Sequence, residues 1–308
     1  MSKASSLVLV VAACGSRAKP QASAAIDHAI SAAVAAADHA KTPWRCAAAD
    51  LPAVADAKLG SWELAGHALR GGAPELAIGV VADAGGAAPA TLAALGRLRG
   101  RFDETKVGLV LALGGMGGSE KELEASLGVL SDHASFALVA VPGDLEPAAA
   151  NAAAVAALRK RGDSVVDGRL ARWIELPGAT IATIPGAGAQ ARLVAGADGC
   201  GYGKRDVDQL LTELGAKPGL RIAASAEAPR EGDAGEMALA ATGIEVALHG
   251  PTAPAPSPAR DGGRDGKAIA LSPGTSDATT RLPEPHRPSA GVLTIKGKTW
   301  SWKPLLDR

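Results

Sequence analysis

Acidic residues and one histidine follow short apolar runs at several points along the chain, in turns that could hold a ligand. Asp83, Asp144, Glu146 and His249 each lie within a few residues of the end of such a run. In open α/β sheets, ligands bind at the carboxyl ends of strands, where two or three carboxylates could hold one hard divalent cation. Alternatively, Asp83 and Asp144 cap turns or helix N-termini, which favour a carboxylate, and His249 is a hydrogen-bonded core residue.

Two other patterns carry weaker indications of chemistry. The glycine-rich stretch 114–118 precedes a helical segment and could cradle a phosphate, but no Lys-Ser or Lys-Thr pair follows it as in a nucleotide-binding loop. Cys200 has only Lys204 nearby to activate it, so it is a poor candidate for a nucleophile.

The elements that position these turns alternate between strands and helices. The runs 76–82, 107–113 and 136–141 are continuously apolar, and the helical stretches 90–101, 120–133 and 148–161 follow them in turn. Continuous apolar strands indicate a sheet that is covered on both faces. Strand–helix alternation indicates parallel strands that are joined by right-handed crossovers.

The second half of the chain has a different pattern. A hairpin is predicted around Pro177-Gly178, and a loop without a core-forming pattern covers 251–266. The other predicted strands are 61–69, 220–224, 244–248, 267–271, 291–295 and 299–304, and the other predicted helices are 24–41, 206–214 and 235–242. Together these patterns predict an α/β fold, in which two sheets form a sandwich that is flanked by helices from about residue 76 onwards.

The order and spacing of four turns resemble those of the calcineurin-like metallophosphoesterases. The turns read VVADAGG, LALGGMGG, VAVPGDLEP and ALHGPTAP, and the closing strands follow them as LSPG, GVLTIKG and TWSWKP. The resemblance covers roughly residues 76–304. It implies a four-layer αββα sandwich of two mixed sheets, with a dinuclear metal site and hydrolysis of phosphate esters.

The residues at the expected ligand positions depart from that family. Asp83 keeps the first carboxylate and Asp144 replaces an asparagine. Elsewhere glycine, alanine, proline or leucine stands where the family has a ligand or the acid–base histidine, at Gly85, Gly115, Leu145, Ala226, Pro251 and Ala253. The resemblance therefore implies a vestigial metal site at Asp83 and Asp144, no catalytic residues and no expected cofactor.

Two functions remain open at this point. The first is a non-catalytic binding or structural protein, essentially a pseudoenzyme of this superfamily. The second is an atypical metal-dependent phosphoesterase, a hydrolase that uses one divalent metal at a reduced site around Asp83 and Asp144.

The N-terminus resembles the signal peptide of bacterial lipoproteins. Lys3 precedes a short apolar stretch, and small residues at 11–13 lead directly to Cys14. The stretch is too short to span a bilayer. The resemblance implies that Cys14 is lipidated and becomes the first residue of a lipid-anchored protein of the cell envelope, facing the periplasm or the cell surface. Since Gly15 rather than an aspartate follows the cysteine, the family analogy favours the outer membrane.

Under this interpretation two cysteines remain, Cys46 and Cys200. An oxidising periplasm permits them to form a disulfide, which would close a loop of roughly 150 residues and stabilise the fold by up to about 4–5 kcal/mol. Two buried free thiols are the alternative.

Composition limits the classes of partner. The chain of 308 residues has 32 basic and 32 acidic residues, which argues against a protein that binds nucleic acid through bulk positive charge. We therefore expect a membrane contact through the lipid anchor and a protein or small-molecule partner. The predicted organisation is a signal peptide at 1–13, a tether at 14–23, an N-terminal helix and strand at 24–75 and the main domain at 76–308.

Overall fold

The computed structural model describes residues 56–188, 193–227, 243–263, 268–279 and 286–307. The predicted signal peptide, the tether and the helices at 24–41 and 235–242 lie outside these residues. Within them, no helix combines the length and apolar character that crossing a membrane requires.

Fifteen strands and four α-helices make up the described part of the chain. The strands are β1 (Ala57–Leu59), β2 (Trp62–Ala65), β3 (Ala68–Arg70), β4 (Glu75–Val81), β5 (Leu109–Leu113), β6 (Ala137–Val141), β7 (Val165–Asp167), β8 (Trp173–Leu176), β9 (Ala179–Ile184), β10 (Leu220–Ser225), β11 (Val246–His249), β12 (Arg260–Gly263), β13 (Ile269–Leu271), β14 (Ser289–Lys296) and β15 (Thr299–Leu306). The helices are α1 (Pro89–Glu104), α2 (Glu120–Ser131), α3 (Ala148–Lys160) and α4 (Lys204–Gly215).

The strands form two mixed sheets. One has eight strands in the order β1-β2-β3-β8-β9-β10-β11-β13, and the other has seven in the order β12-β15-β14-β4-β5-β6-β7. Strands β4 to β7 run parallel to one another, as do β9, β10, β11 and β13. The carboxyl ends of β4, β5 and β6 therefore meet at one edge of the seven-stranded sheet, which is where the site-bearing turns begin.

Three apolar clusters hold four layers together. The largest lies between the sheets and includes Ile78, Leu111, Ile222 and Trp302. A second packs α1, α2 and α3 on the outer face of the seven-stranded sheet, and a third packs α4 on the outer face of the other. The predicted α/β sandwich of two mixed sheets flanked by helices is confirmed. Because β5 and β6 are buried at every residue, their sequences are continuously apolar.

Two predicted elements differ from the structure. The single strand predicted at 61–69 is the hairpin of β2 and β3, because the chain reverses at Gly66, which has a φ of 56°. The loop predicted at 251–266 contains β12, which pairs with β15 at the edge of its sheet. Gly262 of β12 lies over the indole ring of Trp300, so a strand without apolar side chains still packs on the core.

Candidate functional site

The turns that follow β4, β5, β6, β10 and β11 meet around one cavity of about 590 Å³, although they come from two different sheets. Its lining consists of Asp83, Leu113, Gly114, Gly115, Gly143, Asp144, Ala226, Glu227, Pro251 and Thr252. The cavity therefore lies at the carboxyl ends of strands, as expected for a ligand site in this class of fold, and it has the volume of a small-molecule site.

Asp83 lies in the turn after β4, and its backbone is unusual. Its φ of 52° is in the left-handed region, which aspartate tolerates better than most residues. Its carbonyl oxygen accepts hydrogen bonds from Thr275 Oγ1 at 2.7 Å and from the backbone N–H of Asp277 at 3.0 Å. Burial raises the pKa of the Asp83 carboxyl, and the nearby charges of Asp277 and Asp144 raise it further.

Asp144 lies at the rim of the same cavity, in the turn after β6. Partial burial raises the pKa of its carboxyl, and the charge of Glu227 adds to that effect. Its carbonyl oxygen accepts a hydrogen bond from the N–H of Ala195 at 3.0 Å. The structure thus brings together the two aspartates that were predicted as vestigial ligands, in an environment that disfavours their charge.

Glu146 does not contribute a carboxylate to the cavity lining. It is 1% exposed, and its two oxygens accept hydrogen bonds from the N–H of Met116 at 2.6 Å and the N–H of Gly143 at 2.8 Å. Burial raises the pKa of this carboxyl although these amides oppose the shift. Glu146 therefore joins the turns after β5 and β6, and its role is structural.

His249 is also outside the cavity lining. It is buried at the end of β11, where its Nδ1 is 2.6 Å from the carbonyl oxygen of Gly250, and burial lowers the pKa of its imidazole. This arrangement matches the hydrogen-bonded core histidine that the sequence left open as one alternative.

Glu227 is a cavity residue that the sequence analysis did not single out. It lies two residues after the end of β10, and its Oε2 accepts hydrogen bonds from the N–H of Gly188 at 2.8 Å and from Tyr202 Oη at 3.2 Å. An acidic residue just after a buried parallel strand was the available signal. The motif resemblance assigns the ligand position in this turn to Ala226, and Glu227 is the next residue.

The glycine-rich turn at 114–118 uses its amides within the protein. Besides the bond from Met116 to Glu146, the N–H of Gly118 donates to Glu122 Oε2 at 2.9 Å, and Ser119 caps α2 by accepting from the N–H of Glu122. The N–H groups of Met116 and Gly118 are therefore paired within the protein.

Cys200 is disulfide-bonded and fully buried, in contact with Ala148 at the start of α3. Its carbonyl oxygen accepts a hydrogen bond from the N–H of Ala187. Both other cysteines, Cys14 and Cys46, lie outside the described residues, so the predicted pairing with Cys46 stays a prediction. A nucleophilic role for Cys200 is incompatible with its bonded sulfur.

The residues around the cavity do not fit a dinuclear metal centre. In the part of the chain that the structure describes, no group of three or more histidine, cysteine, aspartate or glutamate side chains is arranged to hold a metal ion, and no histidine is among the residues that line the cavity. Two bridged cations need a shared carboxylate and several further ligands. Gly115, where the resemblance puts that carboxylate, offers no side chain.

Comparison with solved structures gives matches at low sequence identity. The protein TT1561 of Thermus thermophilus matches with a TM-score of 0.53 and 12% identity, over 76% of this chain and 99% of that one. The match shows a shared fold. A dimetal phosphatase from Danio rerio has a TM-score of 0.47, 10% identity and coverage of 76% of this chain and 99% of that one.

A purple acid phosphatase from yellow lupin seeds also has a TM-score of 0.47, with 11% identity over 76% of this chain and 52% of that one. No protein-family model matches the sequence, and the search of curated proteins finds no match either.

Proposed function

We propose that this chain is a lipid-anchored protein of the cell envelope that has the metallophosphoesterase fold, has lost most of the metal ligands and has a non-catalytic binding or structural role. The resemblance of the turn motifs and the shared fold support the family part of this proposal. The non-catalytic part rests on the cavity lining: among the residues that the structure describes, it offers the carboxylates of Asp83, Asp144 and Glu227 and no imidazole.

Hydrolysis by the two-metal route needs more than these carboxylates. It requires cations that activate a water molecule and stabilise the charge on the phosphate, and a proton donor for the leaving oxygen. Leu145 stands at the position of that donor, and general acid catalysis contributes roughly 10²–10⁴-fold in rate. By the resemblance, the described lining therefore keeps one ligand of that site, Asp83, and has no counterpart of its proton donor.

The direct test measures metal content and turnover together. Protein purified without chelator should contain less than stoichiometric divalent metal by mass spectrometry. Hydrolysis of a generic phosphomonoester and a phosphodiester, with Mn²⁺, Zn²⁺, Fe²⁺ or Mg²⁺ added, should stay at background and be equal in the wild type, Asp83→Asn and Asp144→Ala. Asn is used at position 83 because it tolerates the left-handed backbone there.

The alternative function is a phosphoesterase with a single metal ion, and the convergence of Asp83, Asp144 and Glu227 on one cavity favours it as the second candidate. It predicts a stoichiometric cation and turnover that disappears in Asp83→Asn. The matched control is Asp261→Asn, which changes an exposed aspartate of β12 that does not line the cavity. Turnover that is lost at position 83 and kept at position 261 would overturn the non-catalytic assignment.

Location and partners belong to the same proposal. Lipidation of Cys14 would hold the protein at the membrane, on the periplasmic side or at the cell surface, with the outer membrane favoured. Two or three acyl chains give stable anchoring, which a single chain does not. The balanced charge of the chain supports a protein or small-molecule partner over nucleic acid.

A further inference from the structure

The turns after β4 and β5 are joined by their backbones at the positions that correspond to metal ligands in the resembled family. Asp83, Gly85 and Gly115 occupy three of those positions. The N–H of Asp83 donates to the carbonyl oxygen of Gly114 at 2.8 Å, and the N–H of Gly85 donates to the carbonyl oxygen of Gly115, also at 2.8 Å. These bonds extend the pairing of β4 with β5 beyond the ends of both strands.

Gly115 has no room for a side chain in this arrangement. A β-carbon built on it would lie 2.6 Å from Asp83 Cα, 3.0 Å from Asp83 Oδ1 and 3.1 Å from Asp83 N. Its φ of 69° is also in the left-handed region, which costs an L-residue roughly 1–2 kcal/mol. Since the closest atom belongs to the backbone, a side-chain rotation cannot relieve the overlap.

The turn after β4 is held from its other side as well. The carbonyl oxygen of Asp83 accepts the bonds from Thr275 and Asp277 described above, and the N–H of Ser276 donates to the carbonyl oxygen of Ala82 at 2.9 Å. Ser276 and Thr275 are almost fully buried. The segment that follows β13 therefore keeps Asp83 from moving away from Gly115.

We infer that the backbone pairing between these two turns leaves no space at position 115 for a metal-bridging carboxylate. The inference rests on the proposed function, because it takes the motif positions from the metallophosphoesterase resemblance. The backbone contacts, and not only the missing side chains, then prevent a metal ion from being held at this position. Restoring aspartate at position 115 cannot restore a metal ion without breaking the pairing with Asp83 and Gly85.

The test separates backbone strain from the overlap with Asp83. Gly115→Ala introduces both, whereas the matched control Gly60→Ala introduces strain alone, because Gly60 has a φ of 64° and no atom within 4 Å of its built β-carbon. We expect Gly60→Ala to lower the melting temperature by about 3 °C and Gly115→Ala to lower it at least twice as much. Equal losses in the two variants would overturn the inference.

The second measurement asks whether the ligands can be reinstated. In Gly85→His with Gly115→Asp, we expect destabilisation or failure to fold, and no stoichiometric Mn²⁺ or Zn²⁺ by mass spectrometry in any folded fraction. A variant with wild-type melting temperature that binds one metal ion or more per chain would refute the inference. Failure of the proposed function is a different result, namely metal-dependent turnover by the wild type.

Discussion

Glu146 shows how a single buried carboxylate can join two turns. Its oxygens accept hydrogen bonds from the amides of Met116 and Gly143, and the side chain is enclosed by protein. Hydrogen bonds to a charged acceptor contribute more than neutral ones, about 1.5–3 kcal/mol. The charge is also costly to bury, which is why the pKa of this carboxyl is raised.

We predict that Glu146→Gln lowers the free energy of unfolding by about 1–3 kcal/mol at pH 7, because the amide NH₂ group would face one of the two backbone N–H donors and leave it unpaired. Urea denaturation measures the change. Glu120→Gln, which alters an exposed residue at the start of α2, should stay within about 0.5 kcal/mol of the wild type. A loss at position 146 no larger than that of the control would contradict the structural role of Glu146.

The pH dependence of the same residue follows from the direction of its pKa shift. A carboxyl whose pKa is higher in the folded state holds its proton more tightly there, so ionisation of Glu146 costs stability as the pH rises from its unfolded pKa through its folded one. Glu146→Gln removes that dependence. The loss of stability in the variant should therefore be larger at mildly acidic pH than at pH 7.

At the scale of elements, the closing hairpin of β14 and β15 depends on a glycine beneath a tryptophan. Trp302 is almost fully buried in the core between the sheets, and its Nε1 donates to the carbonyl oxygen of Ser257 at 3.1 Å. A β-carbon built on Gly291 would lie 1.9 Å from the Trp302 ring. The indole thus occupies the space that a side chain at position 291 would need.

Gly291→Ala should destabilise the fold by about 1–3 kcal/mol or more, since overpacking forces a large buried ring out of its position. Thermal and urea denaturation give the change. Gly100→Ala lies within α1 with no atom within 4 Å of the built β-carbon, and it should be neutral or stabilise by up to about 1 kcal/mol. If both variants keep wild-type stability, the packing of Trp302 on Gly291 is not required.

The boundaries of the elements follow from local sequence to different degrees. Helix α2 begins after the capping residue Ser119, whose hydroxyl accepts from the N–H of Glu122, so its first residue was predictable from the capping pattern. Strand β12 reads Arg-Asp-Gly-Gly and has no strand pattern of its own. It forms because it can pair with β15 at the edge of the sheet and cover the ring of Trp300. Neither contact can be read from the local sequence.

At the scale of the whole molecule, the proposal of a lipid anchor gives a direct prediction. Cys14→Ser removes the thiol to which the diacylglycerol would be attached. We expect it to abolish metabolic labelling with a fatty acid and to move the protein from the membrane fraction to the soluble fraction. A matched serine substitution of Cys46 should keep the label, because that cysteine is predicted to pair with Cys200 instead. Labelling that persists in Cys14→Ser would refute lipidation at this residue.

The sequence by itself determined the α/β class, the parallel strands and the turns at which a site would form. The reason is physical: β5 and β6 are covered on both faces and so must be apolar throughout, and consecutive parallel strands bring their carboxyl ends to one edge. The resemblance of the turn motifs also implied that Gly115 and Ala226 offer no metal ligand, since glycine and alanine supply no donor atoms.

Only the tertiary structure decided which of the remaining side chains reach the cavity. Asp83 and Glu227 come from strands in different sheets and line it together, whereas Glu146 turns towards two backbone amides and His249 towards Gly250. The overlap between Gly115 and Asp83 likewise depends on residues that are far apart in sequence. Distances between turns are set by how strands pair within a sheet and how the two sheets pack, and the residue types of a single turn do not encode them.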